Sequence, residues 1–221
     1  MNRAPHAEGE YYHLYNRGTD KREIFTDNHD HNRFMTLLYL CNSNQTVNID
    51  HELRKGLTFP ELFEIEKRAP LVSIGAYCLM PNHFHILVRE EREGGIPLFM
   101  RKLSTAYTMY FNVKHSRNGA LFQGTYRSKH VAGDEYLKYL FAYIHLNPVK
   151  LIDPTWKENG IVDRGNAKRY LEGYRYSSYG DYRGTARKEG VILSGGVFPE
   201  YFSEPNSFER FVADWLAFSE S

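Results

Sequence analysis

The nonapeptide Met80-Pro81-Asn82-His83-Phe84-His85-Ile86-Leu87-Val88 constrains this chain more than any other stretch. Pro81-Asn82 is a turn signal, and a short apolar run of strand length follows it. Successive side chains of a strand point to opposite faces. His83 and His85 therefore share one face, while Phe84 and Ile86 share the other and enter a core. A rigid strand then presents two imidazoles side by side, an arrangement that can hold a divalent metal. The same pattern also suits a plain polar strand face, so the rest of the chain decides.

Tyr11 to Asn16 reads as a first strand, with Tyr11, His13 and Tyr15 on one face and Tyr12, Leu14 and Asn16 on the other. Arg17-Gly18-Thr19-Asp20 supplies a turn. Asp27 or Asn28 caps a helix running from about His29 to Cys41, where Phe34, Leu37, Leu38 and Cys41 have helical spacing. The polar stretch 42–70 reads as an insertion with a short helix around Leu62 to Ile65. Leu71 to Leu79 and His83 to Arg89 form a hairpin, and a long helix follows from about Pro97 to Lys114. Thr125 to Val131 is a fourth strand. Asp134 is expected to cap a helix from Glu135 to about Leu146, which Pro148 stops. The order is βαββαβ plus one helix, an α+β, ferredoxin-like or RRM-like core. In that fold the first and third strands are central neighbours, and the extra helix can lie across the open sheet face.

Composition bounds the partners. An apolar content of 42% supports a real core, and 15% aromatics suit both packing and stacking on bases. A formal charge of +1 means that any nucleic-acid site is a local patch. Cys41 and Cys78 read as buried hydrophobes in a reducing compartment rather than a disulfide framework. No signal peptide and no membrane-spanning stretch is visible, so the expected location is cytoplasmic. The expected division is a domain over 10–150 and a helical C-terminal extension over 151–221 packed on it.

On the last helix of the core, Tyr143 and Asn147 stand about one turn apart and face the same way. Leu137, Phe141 and Ile144 form a separate stripe for packing. Two histidines and one amide oxygen make a neutral three-ligand divalent site with positions left for phosphate oxygens. A phenol beside it can attack phosphorus. A metal matters for that, because a tyrosine hydroxyl with its ordinary pKa of about 10 is a poor nucleophile. Spacing alone does not separate Tyr143 from Tyr136 or Tyr139.

Several segments resemble the IS200-like single-tyrosine transposases. The nonapeptide looks like their HUH motif (His, hydrophobic, His). Tyr139-Leu140-Phe141-Ala142-Tyr143-Ile144-His145-Leu146-Asn147-Pro148-Val149-Lys150 looks like their tyrosine helix. Leu121 to Val131 resembles the segment before it, His13 to Gly18 the first strand, and Tyr174 to Tyr179 a segment after the catalytic domain. The resemblance runs in order from about Tyr11 to Gly184. The long form, with a tail beyond the tyrosine helix, is similar to the REP-associated branch.

The resemblance implies an HUH domain in which His83 and His85 bind Mg²⁺ or Mn²⁺. Asn147 stands where the family places its third ligand, often Gln. Tyr143 is implied to attack a DNA phosphodiester, forming a 5′-phosphotyrosine and leaving a free 3′-hydroxyl. The implied partner is single-stranded DNA with hairpin elements, held by a monomer or homodimer away from any membrane. Arg17, Lys102, Arg127, Lys129 and Lys150 are candidate phosphate contacts. The alternatives are an RRM-like binding module without chemistry and a related HUH nuclease of replication or plasmid transfer.

Overall fold

The computed structural model describes residues 6–45, 47–198, 201 and 207–217. Its centre is a four-stranded antiparallel sheet in the order β2-β3-β1-β4, formed by β1 (Tyr11–Arg17), β2 (Val72–Met80), β3 (His83–Glu90) and β4 (Arg127–His130). β1 and β3 are the central neighbours, as the ferredoxin-like order requires. The fold is α+β. β2 and β3 are the predicted hairpin, turned by Pro81-Asn82.

One sheet face is covered by α1 (Asn28–Leu40) and α4 (Gly95–Lys114). Asp27 caps α1, its carboxylate accepting from the Asp30 N–H at 2.9 Å. Leu14, Phe84 and Ile86 on the sheet meet Phe34, Leu38, Phe99, Leu103 and Tyr107 from the two helices, all fully buried. Each such side chain contributes about 1.5–3 kcal/mol through removal from water. α4 starts at a close approach: a Cβ on Gly95 would lie 2.2 Å from the Leu71 carbonyl oxygen. The 42–70 insertion forms α2 (Ile49–Arg54) and α3 (Phe59–Leu62). It is more than surface decoration, because Ile49, Leu62 and Phe63 join this core.

α5 (Asp134–Leu146) lies across the other sheet face. Leu137, Leu140, Phe141 and Ile144 pack on Ala76, Cys78, Met80 and Leu87, so the stripe read from helical spacing is the one that is buried. The expected Asp134 cap is corrected. Gly133, at φ 89°, is the N-cap, and Asp134 already lies in the first turn. The reversal from β4 into α5 needs a positive φ that glycine adopts cheaply. The Asp134 carboxylate instead takes Lys138 at 2.7 Å and the Tyr201 hydroxyl.

Beyond α5 come α6 (Trp156–Asn159), α7 (Arg164–Gly173), α8 (Tyr179–Tyr182) and α9 (Ser207–Ala217). The segment 176–178 pairs with the outer edge of β2. The Leu79 N–H donates to the Tyr176 carbonyl at 2.9 Å, and the Ser178 N–H donates to the Tyr77 carbonyl at 3.0 Å. An unpaired strand edge is a liability, and this segment covers it. Buried His145 ties α5 to the same segment. Its Nδ1 bonds the Phe141 carbonyl at 2.8 Å and its Nε2 bonds the Ser178 hydroxyl at 2.7 Å. Cys41 and Cys78 are buried free thiols, and among the described residues no helix is long and apolar enough to cross a membrane.

Candidate active site

The strand register builds the site. Tyr15 pairs with His85 and Arg17 with His83, and directly opposed residues share a face. α5 brings Tyr143 onto that same face. The His85 and Tyr143 rings meet edge to face, 5.3 Å between centroids and 83° between planes. The His83 and His85 rings are 5.0 Å apart at 88°. Tyr136, Tyr139 and Tyr143 form a stacked ladder along α5, and Tyr143 meets both His85 and His13 ring to ring. Asn147 follows at the end of α5, 2% exposed, its amide Nδ2 donating to the Tyr143 carbonyl at 3.2 Å.

Both imidazoles have Nδ1 engaged. His83 Nδ1 lies 2.6 Å from Asn82 Oδ1, and His85 Nδ1 lies 2.8 Å from His13 Nε2. Nε2 is then the nitrogen each ring can offer to a cation. The Asn147 side chain lies beside the His83 ring. Its Nδ2 donates to the Tyr143 carbonyl, which leaves Oδ1 as the atom it can offer to a cation.

The three histidines are held neutral. Burial, helped by the Lys150 and Arg17 charges, lowers His83 to about 4. Burial and Lys129 lower His13 to about 4. Burial, then His13 and His83, push His85 well below the ordinary imidazole value. Neutral rings keep the lone pairs that a metal needs.

His83, His85, Tyr143 and Asn147 line a cavity of about 820 Å³ whose wall also carries Arg17, Lys21, Arg127, Lys150 and Lys157 against one acid, Glu23. A nearly neutral chain thus gathers five cations at one opening, an electrostatic site for a polyanion. Lys157 Nζ lies 4.0 Å from the centroid of the Tyr143 ring, a cation–π distance.

The structure brings His83, His85, Tyr143 and Asn147 together, with Arg17, Arg127 and Lys150 around them. Lys129 is on the His13 face of β4 but outside the cavity wall, with its ammonium over the Tyr136 ring at 4.5 Å. Lys102 is not brought to the site. It stands on α4, across the sheet, and its ammonium is held by the Ser43 carbonyl and, at 2.6 Å, the Gln45 carbonyl. α4 covers the face carrying Phe84, so its side chains cannot reach the face carrying His83. Sequence reasoning missed His13, Lys21 and Lys157. His13 was findable, because strand alternation places it on the His85 face of the neighbouring strand. Lys157 lies in the tail and carries no such signal.

The donor set fits a divalent cation. Among the described residues no group of three or more His, Cys, Asp or Glu side chains is assembled to hold a metal. A cation here would rest on two imidazoles and an amide oxygen, all neutral, keeping its full charge for phosphate oxygens. Each donor is steadied by a second hydrogen bond, as metal-binding side chains are.

Residues 57–147 match the family described as "Transposase IS200 like". The match covers 91 of the 221 residues, so it is a likeness to that family over this segment. The matched segment contains His83, His85, Tyr143 and Asn147. β1, with His13 and Arg17, precedes it, and Lys150 and Lys157 follow it. A solved structure of a REP-associated tyrosine transposase bound to a REP hairpin is similar, with a TM-score of 0.48 and 12% identity over 92% of this chain and 96% of that one. Among curated proteins none matches the sequence.

Proposed function

We propose that this protein cuts and rejoins single-stranded DNA through a covalent link to Tyr143. The observation that carries the reading is the edge-to-face placement of Tyr143 on His85, beside Asn147 and inside a cationic cavity, within a segment that matches the IS200-like family. Among the ladder tyrosines, this one stands where the neutral donors converge.

In the proposed step, the Tyr143 hydroxyl attacks the phosphorus of a phosphodiester. The Oη–P bond forms and the bond to the 3′ oxygen breaks. The phenol proton leaves to water, and the departing 3′ oxygen takes one up. The product is a 5′-phosphotyrosine and a free 3′-hydroxyl. A 3′-hydroxyl of another strand reverses the step and rejoins DNA without ATP, since the phosphodiester energy is conserved in the link. His83, His85 and Asn147 would hold a divalent cation, which supplies charge neutralisation at the phosphate oxygens. Arg17, Arg127 and Lys150 orient the backbone, and Lys129 extends the basic surface along β4. Folded hairpins are the recognition elements that the family resemblance implies. The tail packed behind α5 is in keeping with the long, REP-associated form.

The test is covalent capture. Single-stranded DNA carrying hairpins is incubated with the protein and Mg²⁺ or Mn²⁺ and run on a denaturing gel. A slow-moving adduct that disappears with EDTA and in Tyr143→Phe supports the reading. Tight binding without an adduct over a broad hairpin set supports a binding module instead.

A further inference from the structure

We infer that a second, smaller slot against Tyr143 takes one unpaired nucleobase of the strand held in the main cavity, an inference that rests on the strand-transfer reading above. The slot measures about 110 Å³ and is walled by Tyr139, Tyr143, Leu146, Trp156, Lys157 and Trp215. A dry apolar cavity of about 150 Å³ accepts a benzene ring, so this volume is on the scale of one aromatic ring.

Three features select a nucleobase as the occupant. First, the walls are flat rings. Tyr139 stacks on Tyr143, 6.0 Å apart at 23°, and meets Trp215 edge to face at 5.5 Å. The tyrosine faces are taken up by each other and by Lys157, so a base entering here would meet the half-buried tryptophans, the ring type on which bases stack. Second, the slot and the main cavity share Tyr143 and Lys157. A strand whose phosphate reaches the Tyr143 hydroxyl therefore has its adjacent base at the slot. Third, a lysine at the junction suits a ligand that is apolar over its face and anionic along its edge, which describes a nucleotide and not a buried side chain. Trp156 and Trp215 are both tryptophans of the chain, and both are only half-buried here. The buried Trp156 indole N–H has no hydrogen-bond partner among the described residues, and Lys157 Nζ stands 5.7 Å from the ring centroid.

Because the only two tryptophans line the slot, their emission reports its occupancy. The full-length protein in EDTA, where no cutting interferes, is titrated with a random single-stranded pool about 16 nucleotides long. A parallel titration uses a fully abasic strand with the same number of phosphates. Binding is followed independently by anisotropy of labelled strands. The expected result is quenching of tryptophan emission by the pool but not by the abasic strand, although both bind through charge. Trp215→Phe and Trp156→Phe each leave one reporter, and both remain quenched. Trp156→Ala weakens the pool several-fold and leaves the abasic affinity unchanged. Pool binding with unchanged emission, or equal quenching by the abasic strand, overturns the slot and leaves strand transfer standing. No binding of the pool at all overturns the strand-transfer reading beneath it.

Discussion

His13 Nε2 lies 2.8 Å from His85 Nδ1, linking the first strand to its central neighbour β3. For His85 to offer its Nε2 lone pair, its Nδ1 must carry the proton and donate it to His13. His13 thus sets the tautomer of a ring that would bind metal. We expect His13→Ala to lower Mn²⁺ affinity by about 10- to 100-fold, measured by titration calorimetry, with adduct formation falling in parallel. Unchanged Mn²⁺ affinity would remove His13 from the site.

Lys157 sits over the Tyr143 ring at 4.0 Å and also faces the main cavity. If Tyr143 attacks phosphorus as proposed, this cation would stabilise the transition state at the phenol. Such contacts are worth about 1 kcal/mol when partly desolvated, or roughly fivefold to tenfold in rate. Lys157→Met should slow single-turnover adduct formation by about that factor, and Lys157→Arg should retain most of it. A Met variant as fast as the parent would limit Lys157 to a surface role.

The Asp30 carboxylate at the start of α1 gives a pH signature of the fold. Burial pushes it upward, but bonds from Lys114 at 2.6 Å, Thr26 and Tyr110 outweigh that and hold it at about 2. A folded-state value below the ordinary 3.8 means that the ionised form is stabilised by folding. This contribution, about 2 kcal/mol, is complete above about pH 4 and fades as pH falls toward 2. Urea midpoints should therefore drop between pH 4 and pH 2 in the parent. Asp30→Asn should be less stable at neutral pH and show a shallower acid slope. Parallel slopes would place the acid sensitivity elsewhere.

Much of this arrangement is legible in the sequence. Two periodicities, alternate residues in β1 and β3 and the Leu137, Phe141, Ile144 stripe of α5, set which side chains are buried. They also leave His83, His85 and Tyr143 turned toward one another. Choosing Tyr143 over Tyr136 and Tyr139 needed either family resemblance or three dimensions, because all three lie on one ladder. Lys102 was misplaced for a related reason. A helical cation has no sequence mark saying which sheet face its helix covers. Lys157 and the two tryptophans reach the site through a tail whose path depends on edge pairing with β2, a long-range contact that no local pattern encodes.

The most direct test of the account is to digest the protein–DNA adduct and find the DNA-linked residue by mass spectrometry. The expected product is a peptide carrying the nucleotide on Tyr143, with its 5′ phosphate attached. A nucleotide on Tyr139, Tyr136 or any residue outside α5 would contradict it.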